Sequence, residues 1–146
     1  MRRFRCVLFL LLSIFGLTLS GSAQQVGSAG KQDSGFILEQ NYPNPFNPET
    51  KIPFVLYEDL FADGKPVIVS IRIFNVLQQF ITAPTALNHP RGEGVPVLEL
   101  EYPYPGKFEA YWDGRNERGR HVASGVYLVQ LTVNGKRQFQ RMYVTK

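Results

Sequence analysis

Alternating apolar and polar residues are the dominant pattern of the chain from Phe36 onward. Residues 67–76 read VIVSIRIFNV, and Ser70 and Arg72 alternate there with β-branched apolar residues. Successive side chains of a strand point to opposite faces, so this pattern predicts a half-buried strand. The same reasoning predicts further strands over Ile52–Leu56, from Phe80, and over Leu98–Tyr102, Lys107–Trp112, Val126–Val133 and Gln138–Val144.

Turns rich in glycine and proline separate the predicted strands. Asn134 and Gly135 lie between the last two, and both residues tolerate the positive φ angles of a type I′ hairpin turn. Pro53 lacks an N–H and therefore predicts an edge position for the first strand. The proline-rich stretch Ala83–Gly106 is interpreted as a long surface loop that holds one short strand. About seven short strands joined in this way predict an all-β fold, an antiparallel β-sandwich.

The first 35 residues have a different pattern. Met1–Arg5 is positively charged, Val7–Leu19 is mostly apolar, and Ser20–Ala23 consists of small residues. This order predicts a secretory signal peptide over residues 1–23, cleaved after Ala23. The apolar run is shorter than the roughly 20 residues that a membrane-spanning helix needs. The polar stretch Gln24–Gly35 is interpreted as a flexible spacer, and we expect a secreted or cell-surface protein that passes through the periplasm.

Charge and cysteine content exclude several classes of function. The formal net charge is +4, but Arg2, Arg3 and Arg5 all lie in the predicted signal peptide. The rest of the chain has 13 basic and 12 acidic side chains. This balance leaves no excess of positive charge of the kind that binds nucleic acid. Cys6 is the only cysteine and also lies in the signal peptide. The exported chain therefore has no disulfide, thiolate metal site or cysteine nucleophile.

The sequence contains no arrangement that points to catalysis. His89 and His121 are far apart, and there is no metal-binding histidine pair, nucleophile elbow or phosphate-binding glycine loop. Glu99 and Glu101 are either a catalytic carboxylate pair or the solvated face of an exposed strand, and their spacing favours the solvated face. We therefore expect no enzyme, no cofactor and no small-molecule substrate.

The turn at residues 113–119 offers oxygen ligands at Asp113, Asn116 and Glu117. A calcium loop needs about six or more oxygens, and Arg115 and Arg118 would oppose a cation. The sequence therefore favours a tight turn closed by side-chain to backbone hydrogen bonds over a metal site.

Three stretches carry a recognisable combination of motifs. The first is LEQNYPNPFNPET at residues 38–50, and the second is IRIFNVLQQ at 71–79. The third begins with WDGRN at 112–116, continues to Gly119, and ends with VASGVY at 122–127. Together they resemble the type A C-terminal sorting domain of the type IX secretion system, and the related immunoglobulin-like domain of flagellar hook-capping proteins.

The resemblance spans residues 36–146 and implies an immunoglobulin-like sandwich. It also implies a protein secreted by a Gram-negative bacterium and a domain recognised by the outer-membrane secretion machinery. We expect a monomer. A sorting domain normally follows a large cargo, so either this domain is exported alone or the reading frame is a piece of a longer gene. The family usually has glycine where this chain has Gln78, and if that position is left-handed, Gln78 costs about 1 kcal/mol relative to glycine.

Most motif residues also have a structural interpretation. The prolines of the first motif favour extended, polyproline-like geometry, in which Tyr42 and Phe46 pack as anchors and the asparagines bond to nearby backbone. Gly125 is expected to let the chain enter its strand without a Cβ clash, and the Tyr127 hydroxyl to bond backbone in a corner. The residues assigned structural roles are Asn41, Pro43, Pro45, Phe46, Trp112, Asp113, Gly114, Gly125 and Tyr127.

The C-terminal strand is the candidate recognition element. Met142 and Val144 are predicted on one face, and Arg141, Tyr143 and Thr145 on the other. Cationic residues near a strand end also discourage edge-to-edge aggregation, which is the structural alternative. The resemblance favours recognition, because family members also end in a basic and apolar strand. The predicted recognition residues are Arg141, Met142, Tyr143, Val144 and Lys146.

The sequence thus leads to two hypotheses about function. The first is a non-catalytic sorting module that directs export across the outer membrane. The second is a standalone structural or adhesive immunoglobulin-like module of the cell surface, suggested by Tyr102, Pro103 and Tyr104 in the predicted loop, a composition suited to contacts.

Overall fold

A computed structural model describes residues 34–146 of the chain. The predicted signal peptide and all of the spacer before Ser34 lie outside these residues. Within them no helix is long and apolar enough to cross a membrane. The described elements are β1 (Phe36–Leu38), β2 (Thr50–Leu56), a 3₁₀ helix (Glu58–Phe61), β3 (Val67–Asn75), β4 (Phe80–Thr82), β5 (Thr85–Leu87), β6 (Leu100–Tyr102), β7 (Gly106–Trp112), β8 (Gly125–Val133) and β9 (Lys136–Val144).

The strands form two antiparallel sheets packed as a sandwich. The first sheet has the order β1-β2-β7-β5, and the second has the order β4-β3-β8-β9 with β6 paired to one end of β3. These orders match the A-B-E-D and C′-C-F-G sheets of immunoglobulin domains, so the predicted fold class is confirmed. The described residues form nine strands rather than about seven, because β1 and β5 are too short to show a periodic pattern.

The core lies between the two sheets, where the alternation of the sequence places it. The inward positions of β3 and β8 are all buried, and the predicted solvent-facing positions lie on the outer face. The Asn134-Gly135 turn has φ angles of 45° and 84° and closes the predicted hairpin. The inward residues of these two strands are Val67, Val69, Ile71, Ile73, Tyr127, Val129, Leu131 and Val133.

Pro53 does not lie on an edge strand, contrary to the prediction. Strand β2 lies between β1 and β7, and the Pro53 carbonyl accepts a hydrogen bond from Glu39 N at 3.0 Å. Beyond Glu39 the facing chain holds one extra residue before Tyr42 and Lys51 pair, which makes a bulge. The N–H that proline lacks would point toward the segment next to this bulge, where the ladder between the two strands is already interrupted.

The stretch Ala83–Gly106 is part of the core and not only a surface loop. It supplies β5, β6 and the buried side chains of Ala86, Val97, His89 and Tyr102. Arg91 N donates to His89 Nδ1 at 3.0 Å, so His89 Nε2 donates to the carbonyl of Glu101 at 2.9 Å. His89 is therefore a core residue with both ring nitrogens hydrogen-bonded.

Strand β6 begins at Leu100 rather than at Leu98. Glu99 has a φ angle of 51°, and its N–H donates to the hydroxyl of Ser70 at 2.8 Å. This left-handed residue interrupts the predicted alternation and leaves Leu98 41% exposed. The side chains of Glu99 and Glu101 are both exposed, but they do not lie on one regular strand.

Tyr102 is a core residue and is therefore not part of the loop surface that suggested an adhesive module. Its side chain is 0% exposed and packs edge-on against His89 and Phe108, both at centroid distances of 4.6 Å. Its hydroxyl forms no hydrogen bond with any described residue, and burial raises the pKa of this hydroxyl well above its ordinary value. Tyr104, by contrast, is 50% exposed.

We expect Tyr102→Phe to stabilise the fold. The change removes a buried hydroxyl that has no partner, and we expect the free energy of unfolding to rise by about 1 kcal/mol. Tyr127→Phe is the matched control, because the Tyr127 hydroxyl donates to Ala123 O at 2.9 Å and its loss should lower stability by about 1 kcal/mol. Urea denaturation of both variants measures the difference, and destabilisation by Tyr102→Phe would contradict the assignment.

Gln78 is left-handed, so the condition attached to its cost relative to glycine is met. Its φ angle is 60°, and its N–H donates to Asn75 O at 3.0 Å. The side-chain oxygen of Asn75 closes the same turn, since it accepts from Leu77 N at 3.0 Å and Gln79 N at 2.9 Å. The turn is fully bonded, so a side chain at position 78 only adds conformational cost.

Gln78→Gly should therefore raise stability by about 1 kcal/mol and leave the fold unchanged. Gln79→Gly serves as the control, because Gln79 has no positive φ and its side-chain bond to Asn75 would be lost. Chemical denaturation of the two variants tests the prediction. It is wrong if both glycine variants lose stability to the same extent.

Candidate functional site

The first motif lies along the outer edge of the C-terminal strand. Phe46 N donates to Tyr143 O at 2.9 Å, and Thr145 N donates to Phe46 O at 3.0 Å. Phe46 and Val144 thereby form a parallel bridge between segments about 100 positions apart in the sequence. We call this contact, between residues 40–46 and 141–145, the clasp.

Side chains extend the clasp along β9. The side-chain oxygen of Asn44 accepts a hydrogen bond from Tyr143 N at 3.0 Å, and Gln40 Nε2 donates to Arg141 O at 3.0 Å. Further along the strand, Gln138 accepts from Leu38 N at 2.8 Å and donates to Phe36 O at 2.8 Å. These contacts occupy backbone groups that an edge strand otherwise leaves unpaired.

The proline segment is bent rather than extended, which corrects the polyproline expectation. The peptide bonds before Pro43, Pro45 and Pro48 are cis, and the segment forms a run of bends. The bends let the chain pass from the first sheet to the far edge of the second within a few residues. Phe46 is buried as predicted, but Tyr42 is 47% exposed, and its hydroxyl donates to Glu109, which raises the Tyr42 pKa.

The asparagines of this motif have different partners. Asn41 is buried, and its amide donates to Thr50 Oγ1 at 2.9 Å and to the carbonyl of Pro43 at 3.1 Å. This local bonding was predicted. The bond from Asn44 to the C-terminal strand was not, because the predicted partner was nearby backbone. Asn47 is exposed and has no hydrogen bond to a described residue.

Aromatic stacking joins the first and third motifs beneath the clasp. Phe46 lies 5.3 Å from Trp112, and Trp112 lies 5.6 Å from Tyr127 between ring centroids. Trp112 Nε1 donates to Arg115 O at 2.9 Å, and the Tyr127 hydroxyl donates to Ala123 O, which forms the predicted corner at the start of β8. The indole N–H of Trp112 and the hydroxyl of Tyr127 are thus hydrogen-bonded while both rings are buried.

The turn after Trp112 is closed by side-chain to backbone hydrogen bonds, as predicted. Asp113 Oδ1 accepts from Arg115 N at 3.0 Å, and Asn116 Oδ1 accepts from Arg118 N at 3.0 Å and Arg120 N at 3.1 Å. The Arg115 guanidinium also lies 3.6 Å from the Asp113 carboxylate. Among residues 34–146 there is no group of three or more potential metal-ligating side chains.

Two glycines of the third motif are needed for different reasons. Gly114 has a φ of 71°, and a Cβ there would lie 2.3 Å from the carbonyl oxygen of Pro48. Gly114 therefore sets how closely the third motif approaches the first. Gly125 has a φ of 149°, and a Cβ there would have no atom within 4 Å, so its backbone angle, and not the predicted clash, requires glycine.

The predicted recognition residues divide between the core and the surface. Met142 is 0% exposed and Val144 6%, so the predicted alternation of β9 is confirmed and these two side chains pack into the core. Arg141, Tyr143 and Lys146 are exposed and remain available for contact. A shallow pocket of ≈ 310 Å³ lies beside the chain end, lined by Asn47, Pro48, Gly114, His121, Val122, Val144, Thr145 and Lys146.

Comparisons with known proteins add structural similarities only. No protein-family model and no curated protein matches the chain. A solved structure of PorZ from Porphyromonas gingivalis, described as an essential bacterial surface component of the type IX secretion system, is 22% identical with a TM-score of 0.43. Dimeric latent PorU from the same organism is 17% identical with a TM-score of 0.48. The similarity covers 83% and 75% of this chain, but 13% of PorZ and 9% of PorU.

Gly114→Ala should destabilise the fold by about 3 kcal/mol, because it adds a backbone clash to the cost of a left-handed residue. Gly119→Ala is a matched control, since Gly119 has a φ of 72° and a Cβ there would have no atom within 4 Å. The control should cost only about 1 kcal/mol. Urea denaturation compares the free energies of unfolding of the two variants. Equal losses would show that the close approach of position 114 to Pro48 does not affect stability.

Proposed function

We propose that the chain is a non-catalytic sorting module that directs export across the outer membrane by the type IX secretion system. The motif resemblance motivates the proposal. The observation that carries it is the clasp, in which the first motif bonds directly to the C-terminal strand. The first motif, and the third motif through the packing of Trp112 on Phe46, therefore both help to fix the position of the last six residues.

The clasp supports recognition by side chains rather than by strand addition. A partner that adds a strand needs free N–H and C=O groups along an edge. On β9 the N–H of Tyr143 is bonded to Asn44, its C=O to Phe46, and the C=O of Arg141 to Gln40. A partner that recognises this end would therefore contact the exposed side chains in the fixed positions that the clasp gives them.

The proposal is tested with a secretion assay. Residues 34–146 are fused behind a signal peptide and a folded reporter, in a host that has a type IX system. We expect the reporter to cross the outer membrane. Tyr143→Ser combined with Lys146→Glu should leave it in the periplasm, because both side chains are exposed at the chain end. Removal of Tyr143–Lys146 should also retain it, but this truncation deletes the buried Val144 and so also disturbs the core.

The matched control is Leu98→Ser combined with Lys136→Glu. Leu98 is 41% exposed and Tyr143 is 43% exposed, so the two pairs make the same kind of change at different places on the surface. We expect the control fusion to be exported, and thermal melts should show that both double variants are folded. If the intact fusion stays in the periplasm while folded and undegraded, the sorting proposal fails. The adhesive cell-surface module then takes its place.

A further inference from the structure

The outer face of the second sheet combines arginine side chains with apolar ones. Arg72, Gln130 and Phe139 lie opposite one another across β3, β8 and β9, and the next outward row is Phe74, Leu128 and Arg141. Arg137 follows Phe139 on the outer side of β9. We call this surface the arginine face, made of Arg72, Phe74, Leu128, Arg137, Phe139 and Arg141.

The cations of the arginine face have no acidic partners. Strands β3, β4, β8 and β9 contain no Asp or Glu, and Glu101 on β6, which pairs with one end of β3, forms its salt bridge with Arg91. Within the described residues, none of Arg72, Arg137 and Arg141 forms a salt bridge. The first sheet is different, because Lys51 pairs with Glu109 at 3.8 Å and Lys107 with Glu39 at 2.7 Å. The three arginines therefore have no acidic partners among the described residues, whereas these two lysines of the first sheet do.

Apolar side chains are exposed between these arginines. Phe139 is 58% exposed, and Phe80, which packs edge-on against Phe74, is 39% exposed. Two shallow depressions of ≈ 470 Å³ and ≈ 300 Å³ flank Phe139. One is bordered by Arg141 and the other by Arg137, so each depression has a cation at its rim beside the Phe139 ring.

We propose that the arginine face binds an acidic segment of another protein, with an apolar side chain seated beside Phe139 and carboxylates on the flanking arginines. Arg137, Phe139 and Arg141 alternate on one strand, which places the two arginines about 13 Å apart. An extended segment with acidic residues four positions apart and an apolar residue between them fits this spacing. Arginine forms bidentate bonds with carboxylates, so both ends of such a segment are fixed.

Charge and composition decide the class of partner. A second copy packed through the same face would place arginines against arginines, which is unfavourable at an interface. A sulfated or phosphorylated polymer would neutralise the charge but leave the aromatic side chain in water. Arginine and aromatic residues together are the composition enriched at the centres of protein interfaces, where lysine is depleted. This inference does not depend on the secretion proposal.

A peptide titration tests the inference on the full chain. The probe is a fluorescein-labelled peptide, Gly-Ser-Glu-Thr-Phe-Thr-Glu-Ser-Gly, and its binding is measured by fluorescence anisotropy at low salt. We expect saturable binding with a Kd below about 1 mM. Arg137→Gln combined with Arg141→Gln should weaken it at least about tenfold, and so should replacing both glutamates of the peptide with glutamine.

Lys51→Gln combined with Lys107→Gln is the matched control, since it removes the same charge from the opposite sheet and should change the Kd by less than about twofold. Phe139→Ser should weaken binding without changing the net charge, which separates docking from simple charge attraction. No binding up to about 1 mM, or equal losses in both double variants, overturns the inference. It is also overturned if heparin or phosphatidylglycerol vesicles bind through Arg137 and Arg141 while the peptide does not.

Discussion

The hydrogen bonds of Phe46 with Tyr143 and Thr145 join the two ends of the domain, and the arrangement of the motifs depends on them. They place the Phe46 ring on Trp112, which in turn packs on Tyr127 at the start of β8. The Gly114 turn must then approach Pro48 so closely that no side chain fits. The first and third motifs, which are far apart in the sequence, are thus parts of one contact.

The two sheets differ in how they use charge. The outer face of the first sheet pairs its lysines with glutamates and hydrogen-bonds Tyr111 to Glu49, which raises the pKa of Tyr111 to about 12. Exposed ion pairs of this kind contribute little to stability, but they leave the surface electrically balanced. The arginines on the outer face of the second sheet form no salt bridge within the described residues. The first sheet therefore pairs its own lysines, and the arginine face is left suited to a partner.

Local patterns predicted most of the fold. Alternation identified β3, β8 and β9, and the Asn134-Gly135 turn identified the last hairpin. The motif resemblance drew attention to Gln78, where the family that the chain resembles usually has glycine. Features set by distant residues were not predictable in this way. The bulge opposite Pro53 depends on the facing chain, and the interruption at Glu99 depends on a hydroxyl of β3. The polyproline expectation for the first motif failed for the same reason, since its bends follow from the need to reach β9.

The candidate site was only partly predictable. The face of β9 that carries Met142 and Val144 was predicted, because burial follows the period of a strand. The partner of Asn44 was not, because a hydrogen bond across 99 positions has no local signature in the sequence. Exposed edge strands promote aggregation, so a segment that covers β9 could have been expected. The sequence does not show which segment it is.

The clasp also determines how the domain responds to mechanical load. Contacts along the two terminal segments advance in the same direction, from Phe36 with Gln138 to Phe46 with Thr145. A force that pulls the two ends of the domain apart therefore loads these hydrogen bonds in shear, together, rather than opening them one at a time. Forced unfolding is governed by the barrier to this collective rupture rather than by the equilibrium stability of the sandwich. A tether that holds the domain by its two ends would load this set of hydrogen bonds together.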